Sequence, residues 1–290
     1  IQTCALPIFA QRNGLRMADF AIDLKLPLLA VAYGETRAVD DLAALAGVPA
    51  DAMKGWTPAK VNGTAWKFRD EPVPRLALQL YPVRGCPLCL REDATAAGPK
   101  PGEGMFLRGH WLFSHVTLCH RHGHPLVGLW SELYEWRRHD AFQCLKVVAP
   151  RVLEGALDRP PRPATAFDLW LEDRLATGRK THWLDGFDLF AACLFCELLG
   201  AQLNGDSWPL DNDPDGAKRA RACEIGFAET HAGEASVWQA LETLLARARR
   251  RNRSPAKVFG ALHLKHEYRL PWPGHAPFRA LLAQFIGEVK

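Results

Sequence analysis

Two short stretches that contain cysteine and histidine constrain the fold of this chain more than any other feature. A C-x2-C pair at Cys86 and Cys89 is followed, after a gap of 29 residues, by a C-x2-H pair at Cys119 and His122. Three thiolates and one imidazole suit a tetrahedral Zn²⁺ site, and four protein ligands leave no open position for a reaction. The spacing therefore predicts one structural zinc ion that joins two distant loops in a zinc-ribbon-like module.

The sequence leaves two alternatives to this ligand set open. Of the neighbouring histidines, His120 or His124 could replace His122, although only His122 keeps the two-residue spacing. The four side chains could also be unrelated members of a core that contains cysteine. Metal-ligand spacing in both pairs favours the zinc interpretation.

The composition is that of an ordinary globular protein. The chain has 290 residues, which suffices for two domains, with 48% apolar and 23% charged residues. We find no run of about 18 apolar residues, so no membrane span is expected. The net charge of +4 is only mildly basic, so a nucleic-acid role has to be argued from local clusters.

The cysteines predict a reducing, cytoplasmic setting. About half of the eight are claimed by the metal pattern or lie close to it, and Cys193 and Cys196 fall in an apolar helical run that is typical of buried free thiols. Residues 1–10 are apolar but lack the layout of a signal peptide, and the sequence does not begin with Met. We expect a fragment or a misread start there rather than a targeting segment.

Short helices are predicted in the amino-terminal part. Apolar residues at helical spacing predict a helix over residues 17–26, which Pro27 ends. Residues 40–56 predict a helix, a glycine turn and a second helix, because Gly47 suits a left-handed turn and Pro49 suits a first helical turn. This arrangement resembles a helix-turn-helix.

The second of these helices is poorly equipped to recognise bases. Its exposed positions offer Asp51 and Lys54, without the Arg, Asn or Gln side chains that make bidentate contacts with base edges. A helical hairpin used for packing or protein contact is an equal alternative. Lys60, Lys67 and Arg69, which follow, are candidates for phosphate contacts.

Large apolar residues lie between the two metal pairs. Residues 105–116 predict a strand or strand pair, in which Phe106, Trp111 and Phe113 form a small core beside the ion. Base stacking is the alternative role for these rings. The basic residues around the site are interpreted either as phosphate contacts or as its solvated face: Arg84, Arg91, Arg108, Arg121 and His124.

Three stretches in this region resemble the TniQ family of transposition proteins. They are residues 84–93 (RGCPLCLRED), residues 106–111 (FLRGHW) and residues 116–126 (VTLCHRHGHPL). They are similar to the family patterns C-P-x-C-L-x-E-D, aromatic-x-R-x-x-W and V-x-x-C-x-x-H-G-x-x-L. The resemblance covers residues 13–135 well, including the helical amino-terminal region, and the rest of the chain loosely.

The TniQ resemblance implies a non-enzymatic adaptor that selects target sites in DNA transposition. The implied partners are target DNA or an RNA-guided targeting complex, an AAA+ ATPase that recruits the transposase, and a second copy in a homodimer. The implied location is the cytoplasm, in association with the nucleoid.

The sequence departs from the family pattern in two places. Residues 1–11 do not match the family's opening Ser-Trp-Leu-x-Arg-Leu helix. Many members carry a second Cys-x-x-Cys soon after the first site, whereas residues 126–144 offer only Cys144. We therefore expect one zinc ion.

The carboxy-terminal half predicts helices that follow a stiff linker. Residues 149–163 end in Arg-Pro-Pro-Arg-Pro, which favours an extended spacer. Periodicity and capping signals predict helices over residues 167–175, 183–203, 217–230, 235–250, 254–268 and 276–289. The nearby acids Asp185, Asp188 and Glu197 are interpreted as helix-surface carboxylates, not as a catalytic set.

A basic segment crosses the end of one of these helices. Between Glu242 and Glu267 the chain has no acid. The segment's candidate nucleic-acid contacts are Arg247, Arg249, Arg250, Arg251, Arg253 and Lys257. Basic residues also complement the dipole at a helix carboxy terminus, but their density here exceeds that need and favours contact with DNA phosphates.

The predicted fold class is mainly α with a small β, zinc-ribbon-like module. Its predicted domains are a helix-turn-helix-like region (residues 1–74), a Cys3His zinc module (75–135), a Pro-rich linker (136–164) and a helical domain (165–290). Two other functions would place different demands on the chain. A zinc-containing helix-turn-helix transcription regulator would need a base-reading helix, and a zinc hydrolase would need an open metal position with a carboxylate base such as Glu92 or Asp93.

Overall fold

The structure is a computed structural model that describes residues 17–96, 104–132, 140–178, 182–208, 210, 213, 215–248, 254–264 and 272–288. The chain divides into two compact units, Ile1–Pro163 and Ala164–Lys290. It is mainly helical with small sheets, as predicted. In the described part of the chain, no helix combines the length and apolar character that crossing a bilayer requires.

The first unit contains six helices and seven short strands among its described residues. The helices are α1 (Met17–Asp23), α2 (Leu28–Ala32), α3 (Thr36–Ala46), α4 (Ala50–Lys54), α5 (Pro87–Ala96) and α6 (Ala141–Leu153). The strands are β1 (Ala59–Lys60), β2 (Ala65–Phe68), β3 (Glu71–Pro74), β4 (Val83–Gly85), β5 (Leu118–Cys119), β6 (His124–Pro125) and β7 (Val127–Trp130).

The first four helices pack around one apolar cluster. Its buried members include Met17, Val39, Leu42 and Met53, which helical periodicity brings to the inner faces of α1, α3 and α4. Gly47 ends α3 with a φ of 65°, the left-handed conformation expected from its position. The predicted pair of helices joined by a glycine turn is therefore present, although α4 has only five residues.

A three-stranded antiparallel sheet, in the order β1-β2-β3, follows α4 directly. Within β2, Trp66 and Phe68 are buried while Lys67 between them is exposed, which is the alternation of a half-buried strand. Arg69 and Asp70 connect β2 to β3, and both have positive φ values, of 52° and 66°. Such a turn normally uses Gly or Asn, and left-handed backbone at other residues costs about 1 kcal/mol each.

The stretch over residues 105–116 differs from its predicted strand or strand pair. It contains a 3-10 turn at Gly109–Leu112 and a single bridge between Leu78 and Phe113. Trp111 and Phe113 are buried as predicted, and Phe113 stacks on Phe68 with ring centroids 6.4 Å apart. Large apolar side chains favour a strand in the sequence, but a compact turn buries them here.

The predicted Pro-rich linker over residues 136–164 is structured in its described part. It contains the 13-residue helix α6, which Asp140 caps by accepting a hydrogen bond from the Gln143 N–H. The segment that follows α6 is tethered to the strands of the metal pairs: the Arg159 N–H donates to His124 Nε2 (2.8 Å) and the Arg162 N–H donates to Gly123 O (2.8 Å). Because the non-proline residues keep their backbone donors, a Pro-rich sequence can still be fixed by hydrogen bonds.

Among its described residues, the second unit contains helices joined by turns and no strand. Its helices are α7 (Ala166–Thr177), α8 (Leu189–Asn204), α9 (Ala217–Ala228), α10 (Glu234–Arg247), α11 (Pro255–Val258), α12 (Gly260–Leu264) and α13 (Ala276–Glu288). Predicted and observed bounds agree closely for α7, α9, α10 and α13. The predicted helix over residues 183–203 begins instead with a 3-10 turn at Trp183–Gly186, and the one over residues 254–268 is divided into α11 and α12 within its described part.

Helix α8 is the centre of this unit, since its residues from Leu189 to Ala201 are all buried. It crosses α9 with Gly200 and Gly226 at the contact, where each lies against the backbone of the other helix. Cys193 and Cys196 are buried free thiols on α8, as predicted.

The interpretation of Asp185 and Glu197 as helix-surface carboxylates was wrong. Both are 2% exposed. Asp185 accepts hydrogen bonds from Trp170 Nε1 and the His182 N–H, and Glu197 accepts from Trp208 Nε1 and Arg219 Nε. Asp188 caps α8 by accepting from the Ala191 N–H. The three carboxylates each have a structural partner, and buried carboxylates need such partners to offset desolvation.

Candidate metal centre

The first metal pair lies where a strand turns into a helix. Cys86 directly follows β4, and Cys89 lies in the first turn of α5, where the Leu90 N–H donates to Cys86 O. Pro87 begins the helix, a position at which its missing N–H is harmless. Both cysteines are buried, with 0% and 4% exposure.

The second pair lies on a tight hairpin between β5 and β6. Cys119 ends β5 and pairs with His124 across the hairpin, and the His122 N–H donates to Cys119 O. Gly123 completes the turn with a φ of 59°, which glycine adopts without strain. The two-residue spacing therefore places Cys119 and His122 on the same tight turn, as predicted.

The four predicted ligand atoms converge within 4.8 Å of one another. His122 Nδ1 lies 3.6 Å from Cys86 Sγ, 3.3 Å from Cys89 Sγ and 3.6 Å from Cys119 Sγ, and the sulfurs of Cys89 and Cys119 are 3.5 Å apart. A zinc tetrahedron with ordinary Zn–S and Zn–N bond lengths has edges of roughly 3.5–3.8 Å. The side chains therefore fit a tetrahedral ion, with Nδ1 as the nitrogen ligand.

The neighbouring histidines do not take the ligand position. His124 is buried and its ring is used otherwise, because Nδ1 lies 2.5 Å from Pro125 O and Nε2 accepts from the Arg159 N–H. His120 does not belong to the converging group. Within the described residues, no second group of three or more ligating side chains converges in this way.

Glu92 contacts the His122 imidazole on the side opposite the thiols. Its Oε1 lies 3.0 Å from His122 Nε2, the ring nitrogen that faces away from the thiols. A carboxylate in this position fixes the ring orientation and the tautomer with a free Nδ1, and it increases ligand basicity. Arg121 in turn contacts Glu92 Oε2 at 2.9 Å. The sequence offered Glu92 as a hydrolytic base, but the structure gives it the role of orienting His122.

The electrostatics of the group favour a thiolate at Cys119. Hydrogen bonds from the Cys86 and Cys89 thiols lower the pKa of Cys119 well below its usual value. The same contacts raise the pKa of Cys86 to about 11 and raise that of Cys89 further. Burial opposes protonation of His122, but hydrogen bonds to Glu92 and Cys119 outweigh it and raise the His122 pKa. A divalent cation would replace the shared protons, because thiolates are the metal-binding form.

Asp93, the next residue, forms an ion pair with Arg108, which lies between the two metal pairs in sequence. Its Oδ1 accepts from Arg108 Nη2 at 2.8 Å, its Oδ2 accepts from Nη1, and the two side chains are only 10% and 18% exposed. The Arg108 guanidinium also lies over the rings of Phe106 (4.2 Å) and Trp111 (5.0 Å). The aromatic-x-R-x-x-W stretch and the E-D dipeptide are thus contact partners in the folded unit.

Two of the arginines near the centre have internal partners instead of forming a solvated basic face. Arg84 is buried and its Nη2 donates to the carbonyls of Phe113 (3.2 Å) and Ser114 (3.1 Å). Arg91 donates to Val152 O and pairs with Asp158 at 2.8 Å. The roles of Arg84 and Arg91 could not be assigned from the sequence, because each partner lies 29 or more residues away along the chain.

The predicted nucleic-acid residues lie mostly outside the described part of the chain. Arg249, Arg250, Arg251 and Arg253 belong to that undescribed stretch. Arg247 is exposed and its Nη1 donates to Leu203 O (2.7 Å), near the carboxy terminus of α8. Lys257 is exposed on α11. Arg247 therefore caps the end of α8, a different helix from α10, whose own dipole the basic residues were expected to complement in the alternative interpretation.

The comparisons with known proteins agree with the sequence motifs. A family model described as TniQ matches residues 4–126, which is less than half of the chain. This range contains all four side chains of the metal group together with Glu92, Asp93 and Arg108. No curated protein matches the chain.

Proposed function

We propose that this chain is a non-enzymatic, DNA-associated adaptor in DNA transposition. The premise is that residues 4–126 match the TniQ family model. The match indicates a transposition-associated role, and the proposal adds a mechanism. The adaptor would connect target DNA or a targeting complex to an AAA+ ATPase that recruits the transposase.

The observation that carries the proposal is the closed ligand group within the matched region. Three thiols and one imidazole surround a single point, and Glu92 is engaged by His122 instead of facing an open metal position. A Zn²⁺ ion held there by Cys86, Cys89, Cys119 and His122 would cross-link two loops of the first unit. This favours a scaffold over a zinc hydrolase, which needs a ligand position open to water.

A transcription regulator is less well supported. The helix that would enter the major groove, α4, has five residues, and its exposed acidic side chain Asp51 would face the base edges. Bidentate recognition of bases by Arg, Asn or Gln is not open to α4, which contains none of these residues. The pair α3 and α4 is better suited to packing or to backbone contact.

The family resemblance supplies the partners to test. We propose a physical contact with the AAA+ ATPase of the same transposon, with an RNA-guided targeting complex as a further candidate partner and a homodimer as a candidate oligomeric state. A pull-down of the purified ATPase with and without duplex DNA tests the adaptor role. Capture that increases with DNA is the expected result, and no capture under either condition would overturn the proposal.

The basic segment around α10 is proposed to contact DNA phosphates. Replacing Arg249, Arg250 and Arg251 with Ala should weaken DNA binding and reduce the salt slope by about 3, since each lost phosphate contact removes about 1. Arg247 is left in place because it caps α8. A salt slope that equals that of the unchanged chain would reject this role.

A further inference from the structure

A polar cleft of about 390 Å³ lies between α3, α4 and the hairpin of β2 and β3. Three basic side chains from three different elements line it: Lys54 from α4, Lys67 from β2 and Arg69 from the β2–β3 turn. Lys67 and Arg69 lie two positions apart on one hairpin, and the fold brings that hairpin to Lys54 at the end of α4. Such convergence of cations on one concave surface suits an anionic ligand.

Arg69 is held in position beside the cleft. Its guanidinium carbon lies 4.3 Å from the centre of the Trp56 ring, and the side chain is half-buried. A Cβ at Gly55 would lie 2.9 Å from Arg69 Nη1, so the guanidinium rests directly on the backbone at the end of α4. Arg69 has a positive φ of 52°, a backbone conformation that carries some conformational cost.

The two lysines make ion pairs that a ligand can replace. Lys54 Nζ lies 2.6 Å from Asp40 Oδ1, and Lys67 Nζ lies 2.7 Å from Asp70 Oδ1. The four side chains are between 37% and 89% exposed. Exposed pairs of this kind contribute about 0–1 kcal/mol, so exchanging the carboxylate for another anion costs little.

Acidic residues restrict what the cleft can accept. Asp51 and Asp70 also line it, beside the three cations. A compact, highly charged anion buried in the cleft would meet both carboxylates. An extended polyanion that crosses the rim has single negative charges spaced along it, so it can meet each ammonium singly and brings less negative charge near Asp51 and Asp70 than a compact anion does.

We propose that this cleft contacts the phosphodiester backbone of duplex DNA through Lys54, Lys67 and Arg69. The inference rests on the proposed function and names a DNA contact in the first unit, separate from the basic segment around α10. Lys60 extends the same charge, because its ammonium lies over Tyr33, which precedes Gly34 at the cleft. The contacts would supply affinity and orientation and no base specificity.

The test is the salt dependence of duplex-DNA binding by the full chain. The double variant Lys54→Gln and Lys67→Gln should bind more weakly to every sequence and show a salt slope reduced by about 2. The matched control is Lys25→Gln and Lys146→Gln, which removes the same charge from exposed positions outside the cleft. Arg69→Gln should likewise reduce the salt slope, by about 1. Lys67→Arg keeps the positive charge, so it should have the salt slope of the unchanged chain.

Two results of the salt-dependence measurement would overturn the inference. One is a salt slope of the double variant equal to that of the unchanged chain. The other is an equal reduction in the control, which would indicate that only net charge matters. Binding of polyglutamate as tight as that of DNA, with the same sensitivity to the variants, would assign the cleft to an acidic protein instead.

ATPase capture in the absence of DNA separates this inference from the proposed function. The cleft variant should capture the ATPase like the unchanged chain while its DNA slope falls. A chain that never captures the ATPase but shows the altered slope would retain the cleft and lose the adaptor role.

Discussion

The carboxylate of Asp93 pairs with both terminal nitrogens of Arg108, and the two side chains are 10% and 18% exposed. The two residues are 15 positions apart, so the contact joins the first metal pair to the stretch that contains Trp111. Removing one partner of a buried ion pair leaves an uncompensated charge, which is far more costly than removing both.

Asp93→Asn should lower the free energy of unfolding by about 3 kcal/mol, because the Arg108 charge stays buried without its carboxylate. Urea denaturation measures the loss. Asp70→Asn is the control, since the 89% exposed Asp70 side chain predicts a change below about 1 kcal/mol. The double variant Asp93→Leu with Arg108→Met should lose less than the single changes combined, and full additivity would contradict a direct pair.

Removing one thiol of the metal group should release the ion and loosen the first unit. In Cys86→Ser or Cys119→Ser, a hydroxyl replaces a buried thiol of the ligand group, and a structural zinc site that loses a ligand loses folding free energy. Metal content and thermal unfolding measure both effects. Cys144→Ser changes a thiol outside the group and should leave both unchanged. One equivalent of zinc with normal melting in both site variants would contradict the prediction.

Glu92→Gln should weaken zinc binding by about 10–100-fold without removing a ligand, because it disturbs the partner that orients His122. Competition with a chromophoric chelator measures the affinity. Glu154→Gln, at an exposed glutamate after α6, is the matched control. Equal affinities for Glu92→Gln and the control would show that the hydrogen bond to His122 Nε2 is dispensable.

Adding a Cβ where α8 and α9 approach most closely should destabilise the second unit. A Cβ at Gly226 would lie 2.0 Å from the Cys196 carbonyl oxygen, so Gly226→Ala must push the helices apart. We expect a loss of about 3 kcal/mol or more in unfolding free energy. Gly287→Ala, which meets open space on α13, should be neutral or stabilising by up to about 1 kcal/mol. Similar melting temperatures for the two variants would contradict this packing.

His275 should make the second unit sensitive to acid. Burial lowers the His275 pKa to about 4, whereas an unfolded histidine titrates near 6.5. Between these values the unfolded chain binds a proton that the folded chain does not, so stability is full above pH 6.5 and falls as the pH drops towards 4. The difference in unfolding free energy between pH 7 and pH 5 should be about 2 kcal/mol smaller in His275→Gln. Identical pH dependence in both proteins would exclude this role.

The candidate metal ligands and most helices could be read from the sequence because both signals are local. Two-residue spacing is a property of one turn, and helical periodicity is a property of one segment, so Cys119 with His122 and helices α7, α9 and α10 were predictable. The prediction of a strand or strand pair over residues 105–116 was wrong, because apolar content indicates burial and does not specify the backbone conformation.

Sequence alone therefore determined which side chains can hold a metal, where most helices run and which family the amino-terminal region resembles. Tertiary structure decided what the charged residues do. Glu92 orients a histidine 30 residues away, Asp185 and Glu197 are buried rather than exposed, and Arg247 caps a helix 44 residues earlier. The physical reason is that a charge is defined by its partner and its exposure, and both depend on chain segments that only folding brings together.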